Sequence, residues 1–118
     1  MSRPKPSAVR PLPTGEAISL EAKLFRGLAD PSRLAILKVL QTGESSVSDI
    51  VESTGLSQPN VSGHLACLRD CGLVTSRQEG RSVHYSLADE GLHDVLTAAE
   101  GILARVAERI YDCTRYRS

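Results

Sequence analysis

At 118 residues, with 41% hydrophobic and 24% charged residues, the chain has the size and balance of one modest domain, for which association with a second copy adds stability. Basic and acidic side chains balance at 14 each, which removes the strong overall positive field that draws a protein to nucleic acid from long range. No apolar run approaches the roughly 18 residues of a membrane span, and no signal-peptide core is present. The expectation is a cytoplasmic protein with no membrane contact, whose three cysteines stay reduced and form no disulfide framework.

The charge is unevenly placed. Residues 1–15 carry Arg3, Lys5 and Arg10 without an acid and hold four of the six prolines, so they read as a flexible basic arm, either a solvated tail or a segment that touches DNA. Acids gather at Glu44, Asp49 and Glu52, and again at Asp89, Glu90, Asp94 and Glu100. Residues 16–112 are expected to form the folded domain, and residues 113–118 a tail carrying Cys113.

From Ala17, the apolar positions Ile18, Leu24, Phe25 and Leu28 predict a first helix ending near Ala29. Asp30-Pro31 reads as an N-cap followed by proline in the first turn, and Leu34, Ile36, Leu37 and Leu40 carry a second helix to Gly43. Ser48 is the expected cap of a short helix that Gly55 stops, and Ser57 caps the next, which Gly72 ends at Cys71. Two short helices joined by a glycine-containing turn form a helix-turn-helix. Leu73 to Leu87 then alternate and turn at Glu79-Gly80-Arg81, a β-hairpin placed as a wing, with Arg77 and Arg81 able to reach phosphates or the minor groove. Residues 90–111 return to helical spacing, and the stripe from Leu92 through Val95, Leu96, Ile102, Leu103, Val106 and Ile110 is long for so small a core. Its expected use is to pack against a second subunit. The fold class is therefore mainly α with a small β-hairpin, a winged helix-turn-helix.

On the recognition helix, Val61, Leu65 and Leu68 share the face that must be buried. Small residues, Ser62, Gly63 and Ala66, lie opposite and let the helix approach a groove floor, flanked by Gln58, Ser62 and Arg69. Gln pairs with adenine, and Ser reaches bases or phosphate. Ser57, Asn60 and His64 complete the expected DNA-contacting set with Arg77 and Arg81. Asn60, His64, Cys67 and Cys71 fall on a third strip at the side of the helix. Residues at i and i+4 lie one above the other, so the sulfurs of Cys67 and Cys71 can share one soft ligand. No nucleophile, base and orienting group stand together, and His84 has no acidic partner at a motif spacing. No enzyme activity and no organic cofactor are expected.

Three runs carry a resemblance: Ala29-Asp-Pro-Ser-Arg-Leu-Ala-Ile-Leu37, Leu56-Ser-Gln-Pro-Asn-Val-Ser-Gly-His-Leu65 and Glu79-Gly-Arg-Ser-Val-His-Tyr85. Together they closely resemble the ArsR/SmtB family of metal-responsive winged-helix repressors. The resemblance implies a homodimer built on the first and last helices that holds double-stranded operator DNA and releases it when inducer binds. The run Cys67-Leu-Arg-Asp-Cys-Gly-Leu-Val74 is similar to a cadmium- and lead-sensing branch, which implies Cys67, Cys71 and a tail cysteine, here Cys113, as ligands of Cd(II) or Pb(II), with As(III) also compatible. Other branches carry Cys-Val-Cys-Asp where this chain has Ser46-Val47-Ser48-Asp49, and only Asp89 and His93 match the ligands that zinc and cobalt sensors use on the last helix. A thiol-redox or persulfide sensor using the same cysteines is the alternative.

Overall fold

The computed structural model describes residues 14–112, the side chain of Tyr111 excepted, so most of the basic arm and the Cys113 tail lie outside the described residues. It divides into two compact units, one up to Leu34 and the other from Ala35. Among the described residues, no helix is long and apolar enough to cross a membrane.

The first unit holds α1, Gly15–Ala29, which starts two residues before the apolar pattern because Thr14 caps it, its side chain accepting from the Ala17 amide at 3.0 Å. Glu16 in the first turn and Arg26 in the last suit the helix dipole. Only Leu28 of this helix is buried, whereas Ile18, Leu20, Leu24 and Phe25 stay exposed. Asp30 then caps α2, Pro31–Thr42, as expected: its carboxylate accepts from the Arg33 amide at 3.0 Å and its carbonyl from Leu34 at 2.8 Å. The boundary between the units falls inside α2.

In the second unit, Ile36 and Leu37 are fully buried with Ile50, Val61, Leu65, Leu68 and Val74. These come from the later part of α2, from α3 (Val47–Thr54), from α4 (Gln58–Asp70) and from the start of β2 (Val74–Glu79). The cap of α3 is Ser46 and not Ser48: Ser46 Oγ accepts from the Asp49 amide at 3.1 Å while the Asp49 carboxylate accepts from the Ser46 amide at 3.3 Å. That reciprocal pair is a capping box, which needs a side-chain acceptor three residues after the cap; Asp49 supplies it for Ser46, whereas Val51 cannot for Ser48. Gly55, at φ 77°, ends α3.

The wing is more than a hairpin. β2 pairs antiparallel with β3 (Ser82–Leu87) from Val74↔Leu87 to Glu79↔Ser82, and a two-residue strand, β1 (Ser45–Ser46), pairs with the other edge of β3, giving the order β1-β3-β2. Gly80 alone in the connecting turn takes a positive φ, 64°, as a tight two-residue hairpin turn requires at its first position. Helix α5, Glu90–Asp112, follows. Leu92 and Leu96 are buried, Gln41 Nε2 donates to Thr97 Oγ1 at 3.0 Å, and Lys38 pairs with Glu100. Of the rest of its apolar stripe, Val106 is half-buried and Val95, Ile102, Leu103 and Ile110 are exposed, Ile102 at 52% and Leu103 at 51%.

Candidate nucleic-acid interface and thiol pair

Helix α4 presents the surfaces that its sequence predicts. Val61 and Leu65 at 0% and Leu68 at 1% exposure turn inward, which leaves Gln58, Asn60, Gly63, Ala66 and Arg69 exposed and Ser62 and His64 half-buried. Ser57 is the N-cap, its Oγ accepting from the Asn60 amide at 3.2 Å, with Pro59 in the first turn. The Ser57 hydroxyl thus has a structural duty at the helix start, where unpaired backbone amides make a favourable place for phosphate.

The end of α4 fixes the thiol pair. The Cys71 amide donates to the Cys67 carbonyl at 3.0 Å, so the two cysteines sit one helical turn apart, and both are free and exposed. Beyond them, the Gly72 amide donates to the Arg69 carbonyl at 3.0 Å and the Leu73 amide to the Leu68 carbonyl at 2.9 Å, with Gly72 at φ 82°. This is a Schellman closure, which needs the left-handed residue that glycine supplies. Cys71 is therefore the capping residue, held by backbone bonds on both sides and excluded from the core.

Two thiols at this spacing suit a soft ion, since side chains three or four apart on a helix bring their Cβ atoms to about 5–6 Å. Among the described residues no group of three or more His, Cys, Asp or Glu side chains could hold a metal, and α4 supplies two thiols. Cys113, the expected third ligand, lies outside the described residues. Asp89 and His93 line an open depression of about 370 Å³ with Glu44 and Glu90, but Asp89 Oδ1 already accepts from the Gly91 amide at 2.6 Å.

The two wing arginines differ. Arg81 is exposed in the turn, with no ion-pair partner among the described residues. Arg77, one of the expected DNA contacts, is paired within the protein: its Nε and Nη2 donate to both carboxylate oxygens of Glu44 at 2.7 and 2.9 Å, and Nη2 also meets Glu79 at 3.0 Å. The charge-assisted bonds hold the Glu44 carboxyl below the usual carboxylate range and the guanidinium above its own. His84 does face an acid, Glu79, at 3.8 Å from Nε2. Sequence spacing could not show either contact: Glu44 and Arg77 are 33 residues apart, and Glu79 and His84 meet only across the hairpin.

The family described as bacterial regulatory protein, arsR family, matches residues 30–76. A probable mercury resistance operon repressor from Streptomyces lividans is 43% identical over 94 residues, 80% of this chain and 75% of that protein. The transcriptional regulator CmtR of Mycobacterium tuberculosis is 49% identical over 71 residues, 60% of each chain. The solution structure of the homodimeric winged helix-turn-helix DNA-binding domain of Mb0332 from Mycobacterium bovis superposes with a TM-score of 0.70 at 28% identity, covering 86% of this chain and 95% of that one. Its buried α4 face, its wing and these matches agree: the chain belongs to the arsR family of bacterial regulatory proteins and is a winged helix-turn-helix transcriptional regulator, not an enzyme.

Proposed function

We propose that the protein is a cytoplasmic, homodimeric repressor that binds operator DNA and releases it when a soft metal ion, Cd(II) or Pb(II), is captured by cysteine thiolates. The observation that carries this reading is the exposed pair Cys67 and Cys71, one turn apart at the end of the helix whose other surface is free to enter a groove. The pair points to the side of α4, so an ion held there does not occupy the groove itself. Cys113 is the proposed third donor, and Gln58, Asn60, Ser62, His64 and Arg69 are the proposed contacts of α4 with DNA, with Ser57 at its start and Arg81 from the wing. A coupling of about 1–3 kcal/mol between the two sites weakens operator binding roughly 5- to 150-fold.

Hg(II) joins the candidate inducers on a specific ground. It is satisfied by two thiolates, the number that α4 supplies, and the similar Streptomyces protein is described as a mercury resistance operon repressor. Arsenite, or oxidation of the same thiols, are the other inputs to compare.

The test is an anaerobic titration of the reduced protein with Cd(II), Pb(II), Hg(II), arsenite and Zn(II), following ultraviolet thiolate-to-metal absorption and DNA binding together. Because thiols must lose protons to ligate, metal affinity is expected to rise with pH. The Cys67→Ser, Cys71→Ser double variant is expected to bind DNA like the native protein and to keep it when metal is added. Metal-driven release by that variant sinks the reading, and release by oxidant alone favours the redox input.

A further inference from the structure

The polar face of the wing carries more acid than base. Antiparallel register sets Arg77 opposite His84 and Glu79 opposite Ser82, and because alternate residues share a face, Thr75, Arg77, Glu79, Ser82, His84 and Ser86 lie on one side of the sheet. Glu44 reaches the same side from just before β1, where Ser86 Oγ also donates to it at 3.5 Å. Two carboxylates thus face one guanidinium. A cluster in which carboxylates outnumber guanidiniums does not attract phosphate. For Arg77 to turn to DNA it must give up a two-pronged bond to Glu44 and leave both acids unneutralised beside the phosphate backbone.

Isolated exposed ion pairs stabilise little, but a bidentate arginine–carboxylate pair fixes direction as well as distance. The pair joins two strands of the sheet that do not pair with each other. Arg77 sits on β2, Glu44 leads into β1, and β1 contributes only two residues of pairing to β3 before becoming α3. The clamp therefore spans the central strand and links the outer strand of the wing to the segment that starts the helix-turn-helix.

We propose that Arg77 is a positioning residue, clamped by Glu44 so as to set the angle between wing and helix-turn-helix, and that phosphate contact at the wing falls to Arg81 in the turn. The assignment rests on the DNA-binding reading given above. Glu44, outside both the helix-turn-helix and the wing, becomes a determinant of DNA affinity without touching DNA.

The experiment uses full-length protein and a fluorescent duplex that the native protein has selected from a random-sequence pool, with affinity measured across a range of salt concentrations. Each phosphate contact removed lowers the slope of log affinity against log salt by about 0.9. Arg81→Gln is expected to lower that slope. Arg77→Gln is expected to weaken binding roughly tenfold with the slope unchanged. Arg77→Lys should weaken it almost as much, because an ammonium keeps the charge but cannot span both oxygens of Glu44. Exchanging the partners, Glu44→Arg with Arg77→Glu, is expected to restore affinity. The proposal is overturned if Arg77→Gln lowers the slope as Arg81→Gln does while Arg77→Lys binds like the native protein. Should Arg77→Gln fail to fold, as circular dichroism would show, the lysine variant and the exchanged pair decide the question alone. A native protein that selects no duplex overturns the DNA-binding reading itself, and the wing assignment with it.

Discussion

Cys67 and Cys71 lie outside the core, and that separates function from stability at single residues. Replacing either with serine is expected to shift the free energy of unfolding by no more than about 0.5 kcal/mol in urea titrations, because an exposed side chain leaves no cavity. Ile50→Ala, at a site with 0% exposure, should instead cost about 2–5 kcal/mol in the same measurement. Glu44 adds a pH dependence with a definite sign. Its carboxyl is held below the usual range by Arg77, so the stabilisation it gives is present at neutral pH and is lost as pH falls through that depressed value. The native protein should therefore resist urea better than Glu44→Gln at neutral pH, and the gap should close in acid. The thiol pair and the buried face of α4 were legible because both are repeats along one helix. The clamp was not, because Glu44 reads in sequence as one acid in a local group and acquires its partner only when β1 pairs beside β3.

At the scale of elements, boundaries follow capping chemistry more closely than apolar periodicity. Helix α3 shows this: Ser46 and Ser48 are both good caps, and the choice rests on Asp49 standing three residues after Ser46. The pattern Ser-x-x-Asp was present in the sequence, whereas strand β1 left no trace there, since two serines carry no alternation and depend wholly on β3. Ser46→Ala is expected to cost about 1 kcal/mol of stability by thermal unfolding. At the other end of the helix-turn-helix, Gly72→Ala forces a side chain into the left-handed region at φ 82°, a strain of about 1–2 kcal/mol. It also disturbs the closure that fixes Cys71, so metal affinity should fall along with stability, whereas Cys67→Ser should lower metal affinity alone.

For the whole molecule, the uncovered apolar side chains matter most. Val95, Ile102, Leu103 and Ile110 along α5, and Ile18, Leu20 and Phe25 along α1, are each exposed in a single copy, more apolar surface than a chain with this little core leaves open without a partner. A second copy covering these faces, as in the proposed homodimer, would account for them. Ile102→Glu with Leu103→Glu is expected to halve the sedimenting mass and to weaken binding to a two-half-site duplex, because each half-site then has to be bound alone. Helical periodicity announced the stripe on α5, but the division of the chain within α2 was not legible, since the α2 sequence runs through that point without a break.

Ser46 serves two masters: it is the last residue of β1 and the cap of α3. No linker separates sheet from helix at that point, so the joint has no slack. Wing and reading head are thereby geared together, and a signal that swings one must carry the other or break the cap. Amide exchange at Asp49 and at the β3 amides should accordingly speed up or slow down in step when an inducer binds.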